Sequence, residues 1–204
     1  MARRRILRWA ALAFGALVSS PLGASAITIT GATVVPAPPE VKRGALESST
    51  GILVFPEAQG FTLTTDLKLG KSGTIAAGTV VDVYYITFDP VTLQKLTAKV
   101  GFGVEVLGFA KTTRNVKKTD FLGNPGTIYD SYRFRGLETG PGTSNRDSVK
   151  ISADKKELNF DIRTLNPGDV VRVIVLHEVP EPGTLLLFAT GLAGLAAAGR
   201  RRLA

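Results

Sequence analysis

The stretch Thr79-Val80-Val81-Asp82-Val83-Tyr84-Tyr85-Ile86-Thr87-Phe88 decides the fold class of this chain. Its residues are mostly β-branched or aromatic, it holds no glycine or proline, and Asp89-Pro90 ends it. Such side chains suit a pleated, packed surface, so the stretch reads as a strand. Alternation along a strand puts Val81, Val83, Tyr85 and Thr87 on one face. Asp82 falls on the opposite face, where a solvated carboxylate is expected, and Asp89 belongs to the proline turn.

The neighbouring segments read the same way. Phe61 to Leu69 alternates apolar and polar residues, as a half-buried strand does, with Gly70, Gly73 and Gly78 marking the loop behind it. Gly51 to Phe55 is a short buried strand closed by Pro56. Ile27 to Val35 is β-branched and reads as a strand, followed by an extended linker at Pro36-Ala37-Pro38-Pro39. On the other side, Leu93 to Ala110 gives one or two strands, with Gly101, Gly103 and Gly108 as bulges or points of close backbone approach. Thr119 to Gly123 reads as a single helical turn stopped by glycine, and Asn124-Pro125-Gly126 as a turn. Tyr129 to Arg135 is a further strand. Ser148 to Ser152 and Leu158 to Ile162 form a hairpin, and Asn166-Pro167-Gly168-Asp169 turns the chain into the strand Val170 to Leu176. About ten short strands without a long helix between them imply a single antiparallel β-sandwich or jelly roll over residues 27–178.

Composition removes several functions. The chain has 204 residues, enough for one domain with its own core, and no cysteine. Disulfides, thiolate metal sites and a cysteine nucleophile are therefore excluded, and the single histidine, His177, excludes any site needing two imidazoles. The formal charge of +8 suggests a polyanion partner until it is located. Arg3, Arg4, Arg5 and Arg8 carry much of it at one end, Arg200, Arg201 and Arg202 at the other, and the middle is close to neutral. Nucleic acid is accordingly not an expected partner.

The two ends read as addresses. In residues 1–26 the early arginines precede an apolar run from Trp9 to Val18, and Ala24-Ser25-Ala26 fits the cleavage pattern of a secretory signal peptide. Cleavage there starts the mature chain at Ile27. Arg3-Arg4-Arg5-Ile6-Leu7-Arg8 also resembles a twin-arginine export motif, with Ala2 where a Ser or Thr is usual; no cofactor site calls for folding before export, so the general secretory route is expected. Residues 179–204 begin Val179-Pro180-Glu181-Pro182-Gly183-Thr184, continue without a charge to Gly199, and reach Arg200-Arg201-Arg202. Pro180 and Pro182 hold the first residues extended. At ~1.5 Å per residue the uncharged run 183–199 covers roughly 26 Å as a helix, marginal against a hydrocarbon core of about 30 Å. The arginines keep their end cytoplasmic, which leaves residues 27–178 on the other side.

Val179-Pro180-Glu181-Pro182, a short apolar helix and the arginine cluster, in that order, resemble the PEP-CTERM sorting signal of Gram-negative bacteria that secrete exopolysaccharide. The resemblance implies export, transient residence in the inner membrane as a precursor, and recognition by a membrane protease of the exosortase type. It further implies release to the cell surface or extracellular matrix, with exopolysaccharide and biofilm as the setting. Separate pieces of the middle, Glu47 to Glu57, Gly73 to Pro90, Phe121 to Tyr129 and Asp147 to Leu158, resemble a family of uncharacterised secreted bacterial β-rich domains. That likeness implies a compact extracytoplasmic unit and no known activity.

Candidate chemistry in the middle is sparse. Asp66, Asp82, Asp89 and Glu105 are the carboxylates from which a glycosidase pair would be drawn. Asp89, Asp120 and Asp130 would supply a calcium site, although no D-x-D-x-D-G spacing is present. Arg114, Lys117 and Lys118 form a small basic patch suited to acidic polysaccharide. Tyr84, Tyr85, Tyr129 and Tyr132 are potential sugar platforms, with core filling as the first expectation. His177 follows a buried strand and reads as structural or solvated rather than catalytic, and no nucleophile constellation assembles. No cofactor or metal is expected. A non-catalytic surface or matrix protein is the leading reading, a carbohydrate- or calcium-binding module the second, and a polysaccharide-acting enzyme the third.

Overall fold

The computed structural model describes residues 27–129, 135–138, 147–164 and 168–178. The expected signal helix, the strand residues after Tyr129, the turn at Asn166-Pro167 and the membrane helix 183–199 lie outside them. Along the chain run β1 (Thr33–Val34), β2 (Glu40–Val41), β3 (Leu53–Pro56), β4 (Phe61–Thr62), β5 (Leu67–Lys68), β6 (Thr74–Ile75) and β7 (Val80–Phe88). Then come β8 (Gln94–Gly101), β9 (Val106–Ala110), the helix α1 (Thr113–Lys118), β10 (Ile128–Tyr129), β11 (Ser148–Ile151), β12 (Glu157–Thr164) and β13 (Asp169–Leu176). The structure is mainly β, as the sequence implies.

Two sheets organise it. The larger has the order β1-β3-β7-β13-β9, with β4 also on β7; the smaller is β11-β12-β8. One apolar cluster draws Val54, Tyr84, Ile86, Phe88, Val171, Val173 and Val175 from the larger sheet and Val100, Val149, Leu158, Phe160 and Ile162 from the smaller. A second cluster covers the other face of the larger sheet: Val81, Val83, Tyr85, Val170 and Ile174 meet Leu63, Leu67, Leu69, Ile75, Val116 and Leu122. Both faces of β7 and β13 are thus buried, which explains their nearly unbroken apolar sequences. β12 has one face in the core and alternates instead, with Leu158, Phe160 and Ile162 buried and Asp161 and Arg163 exposed.

Several local readings need correction. The alternating segment Phe61 to Leu69 is not one strand. Phe61–Thr62 pairs with the start of β7, whereas Leu67–Lys68 pairs with Thr74–Ile75 in a separate ribbon. Its period-2 pattern survives because Leu63, Leu67 and Leu69 all cover the same face of the larger sheet. Ile27 to Val35 is also broken. Thr30 bridges Gly101 beside the smaller sheet, and Thr33–Val34 then joins β3 in the larger one. Gly31 makes the crossing at φ 74°, where a Cβ would lie 1.9 Å from the Lys99 carbonyl oxygen. The pairings β1 with β3 and β10 with β2 are parallel, so the fold is not wholly antiparallel. The proline linker explains the second: Pro38 and Pro39 cannot donate, but their carbonyls accept from Thr127 Oγ1 at 2.6 Å and Ile128 N–H at 2.9 Å.

The segment after β9 holds α1, where the sequence analysis names no element. Thr112 caps it by accepting from Asn115 N–H. The expected turn at Thr119 to Gly123 is a 3-10 turn over Asp120–Leu122 that ends at Gly123. Leu93 to Ala110 resolves into two strands. The register between β13 and β9 shifts where Ile174 meets Gly108 and Val175 meets Val106, leaving Leu107 as the extra residue of a bulge. The hairpin of β11 and β12 and the turn at Asn124-Pro125-Gly126 form as read.

Candidate functional site

Arg172 stands in the middle of the apolar strand β13, between residues that face the second cluster. Its guanidinium is fully buried and makes a two-pronged pair with Glu57, Nε to Oε2 at 2.5 Å and Nη2 to Oε1 at 2.7 Å. Its remaining nitrogen, Nη1, donates to the Val116 carbonyl, Thr119 Oγ1 and Asp120 Oδ1 at 2.7, 2.9 and 3.0 Å. Asp120 also takes Arg135, again with two prongs, at 2.7 and 2.9 Å. Both guanidinium carbons lie 5.3 Å from the Tyr129 ring, and that of Arg172 lies 5.5 Å from the Tyr85 ring. Two cations, two anions and two aromatic rings thus join the sheet to its covering layer.

Burial pushes the Glu57 carboxyl above its ordinary value, while Arg172 and the Tyr129 hydroxyl pull it back. Burial alone would lower Arg172, but Glu57 and Asp120 more than reverse this and hold it above its usual value. Tyr129 is raised by burial and by Glu57. The network is internally neutral and its partners are already engaged, which suits a structural tie. The sequence signal was present in D-V-V-R-V-I-V-L (Asp169 to Leu176): a charge inside an apolar strand needs a buried partner.

The residues singled out for chemistry are dispersed. Asp66 accepts from Ala77 N–H at 3.0 Å on the surface. Asp82 is not on a solvated face. It is 4% exposed and accepts from Gly60 N–H at 2.7 Å and from His177 Nδ1 at 2.7 Å. The reason is that both faces of β7 are covered. Asp89 is likewise buried. Glu105 pairs with Lys155 at 3.0 Å on the rim of a cleft of about 580 Å³.

For calcium, Asp120 is occupied by two arginines and Asp130 lies outside the described residues. Among the described residues no group of three or more His, Asp or Glu is arranged to hold a metal. Arg114 and Lys118 are exposed on α1, with Lys117 half-buried. Tyr84 and Tyr85 fill opposite cores and cannot stack on a sugar. The Tyr84 hydroxyl, raised to about 12 by burial and by Asp82, donates to Gln59 Oε1 at 3.2 Å. Tyr132 lies outside the described residues.

A second cleft, of about 480 Å³, is lined by Lys71, Ser72, Lys111, Thr112, Asn115 and Ser148, among others.

The β domain closes at His177, whose N–H donates to the Val80 carbonyl at 3.1 Å while its ring meets Asp82. The next residue opens a segment that matches a known motif. A family model described as the PEP-CTERM protein-sorting motif matches residues 178–202. The chain therefore carries that motif, which spans Val179, Pro180, Glu181, Pro182 and Arg200 to Arg202 and implies an exported protein sorted by an exosortase. No curated protein and no solved structure matches the chain significantly. The likeness of the middle to secreted bacterial domains rests on the residues quoted above. Among the described residues no helix is long and apolar enough to cross a membrane.

Proposed function

We propose that this is an exported, non-catalytic surface or matrix protein whose β-sandwich, residues 27–178, is delivered and then released by its own tail. Residues 1–26 direct export and are cut after Ala26. Val179-Pro180-Glu181-Pro182 is the element recognised by the exosortase-type protease, and Arg200, Arg201 and Arg202 hold the tail in orientation across the inner membrane. The freed domain then resides at the cell surface or in the matrix, in association with exopolysaccharide. The observation that carries this reading is the position of the matched motif: it begins at Glu178, directly after the last hydrogen bond of the β domain. The separate local partners of Asp66, Asp82 and Glu105 speak against a polysaccharide-cleaving site. Mass spectrometry of the mature product tests the sorting step in a host that has the protease. A C-terminus upstream of the arginines is expected; one that retains Arg200 makes the tail a plain anchor.

The cleft bearing Lys71, Lys111, Asn115 and the hydroxyls of Ser72, Thr112 and Ser148 favours a second reading, a carbohydrate-binding module. A glycan-binding screen, with and without calcium, separates the two. Saturable binding that fails in Lys71→Ala/Lys111→Ala supports the module, and absence of binding leaves the surface protein.

A further inference from the structure

Asp169 is the first residue of β13 and pairs with Phe88, the last residue of β7. Asp89 follows Phe88, so two aspartates share one end of this strand pair. Gly168 makes their proximity feasible. A Cβ there would lie 2.2 Å from the Phe88 carbonyl oxygen and 2.3 Å from the Asp89 Cα, so only glycine lets the backbones lie in contact. Asp147 directly precedes β11. Its two oxygens accept from Arg163 N–H at 2.8 Å and Glu138 N–H at 3.1 Å. Asp89, Asp147 and Asp169 are each 5% exposed. Oδ1 of Asp89 and Oδ2 of Asp169 are buried without a hydrogen-bond partner.

Orphaned carboxylate oxygens are costly in a dry site, and neighbouring negative charges raise the cost. A single proton lowers this cost, because it removes one charge from a buried group whose oxygen has no donor to satisfy it. We propose that Asp169 retains a proton in the folded domain, making this end of the sandwich a pH-sensitive latch that loosens when the proton leaves.

The surrounding charges act in this direction. Burial, then the charge of Asp147, pushes Asp169 up to about 8; Glu138 and Asp89 add to this, and a hydrogen bond with Thr164 opposes it. Burial also raises Asp89, with Glu47 adding and Arg43 and the Gly168 and Gly44 N–H groups opposing. It raises Asp147 against the pull of the Arg163 and Glu138 N–H groups, with Asp161 adding. The sign follows from proton counting. Below the ordinary aspartate value of 3.8, folded and unfolded chains both hold the Asp169 proton. Between there and about 8 only the folded chain holds it, so this contribution to stability is lost as pH rises. In an exported protein the latch answers to the pH of the medium.

Carbon-detected NMR of the full-length labelled chain in detergent reads the carboxyl directly. One aspartate is expected to titrate near 8 and to vanish from the spectrum in Asp169→Asn. The melting temperature of the wild type should fall relative to the variant's by several degrees between about pH 5 and about pH 9. If every aspartate titrates below about pH 5, or the two melting profiles run parallel, the latch does not exist. Should Asp169→Asn fail to fold, Asp147→Asn decides instead. Loss of that charge must move the Asp169 titration to lower pH, and an unmoved titration overturns the proposal.

Discussion

Arg172 shows how one residue can tie two layers together. Its side chain leaves an apolar strand and enters a dry layer where Glu57, Asp120, Thr119 and the Val116 carbonyl all accept from it. Arg172→Met leaves Glu57 buried without its counter-charge. The expected loss is ~3–5 kcal/mol, read from urea unfolding, because an uncompensated buried charge costs more than the pair contributes. Arg172→Met combined with Glu57→Gln should recover part of that loss; a single variant within about 1 kcal/mol of wild type would contradict the account. A milder effect is expected at Asp82, which holds both His177 and the Gly60 N–H. Asp82→Asn should leave the core folded while brief protease treatment cuts more readily around Leu176 to Glu178. Unchanged cutting there would mean that the His177 N–H bond to Val80 suffices alone.

Among the elements, β13 lies between β7 and β9 with both faces covered. Its C-terminal end is also where the sorting segment starts, so an interior strand of the larger sheet runs on in sequence into the tail. Peptide bonds in a helix are masked by their own hydrogen bonding, and a protease needs them extended. Proline disfavours helix in the residue before it and a charge favours the membrane interface over lipid, which is why Pro180, Glu181 and Pro182 are the proposed recognition element. Replacing both prolines with alanine is expected to block processing and leave a larger membrane-bound form on a gel. Normal processing of that variant would remove the prolines from the recognition element. Replacement of the three arginines should instead weaken retention and leave the motif readable. At the other end of the same strand, Gly168→Ala should destabilise the fold markedly in urea unfolding, because its methyl would lie 2.2 Å from the Phe88 carbonyl oxygen and 2.3 Å from the Asp89 Cα, which cannot yield as a flexible side chain would.

At the scale of the molecule, two apolar clusters on the faces of one sheet provide the core, and no cysteine contributes. The fragment 27–178 is therefore expected to fold by itself, with a cooperative melt by circular dichroism that reducing agent leaves unchanged. An unfolded fragment would show that the core depends on the tail or on a partner. The near-neutral middle and the arginine-rich ends fit the proposed division between a folded domain and its addresses.

The class of the fold was legible in Thr79 to Phe88 and in Val170 to Leu176, since β-branched and aromatic runs bounded by turns need no tertiary context to read as strands. The sorting segment was equally legible, because prolines, an apolar run and arginines act through local chemistry and order. The layering was not. Whether the second face of β7 meets water or protein depends on a covering layer drawn from distant residues such as Leu63, Val116 and Leu122. For that reason Asp82 and Asp89 looked solvated and are buried, and Phe61 to Leu69 looked like one strand and is two. Glu57 and Arg172 lie 115 residues apart, and only folding brings such charges into hydrogen-bonding distance.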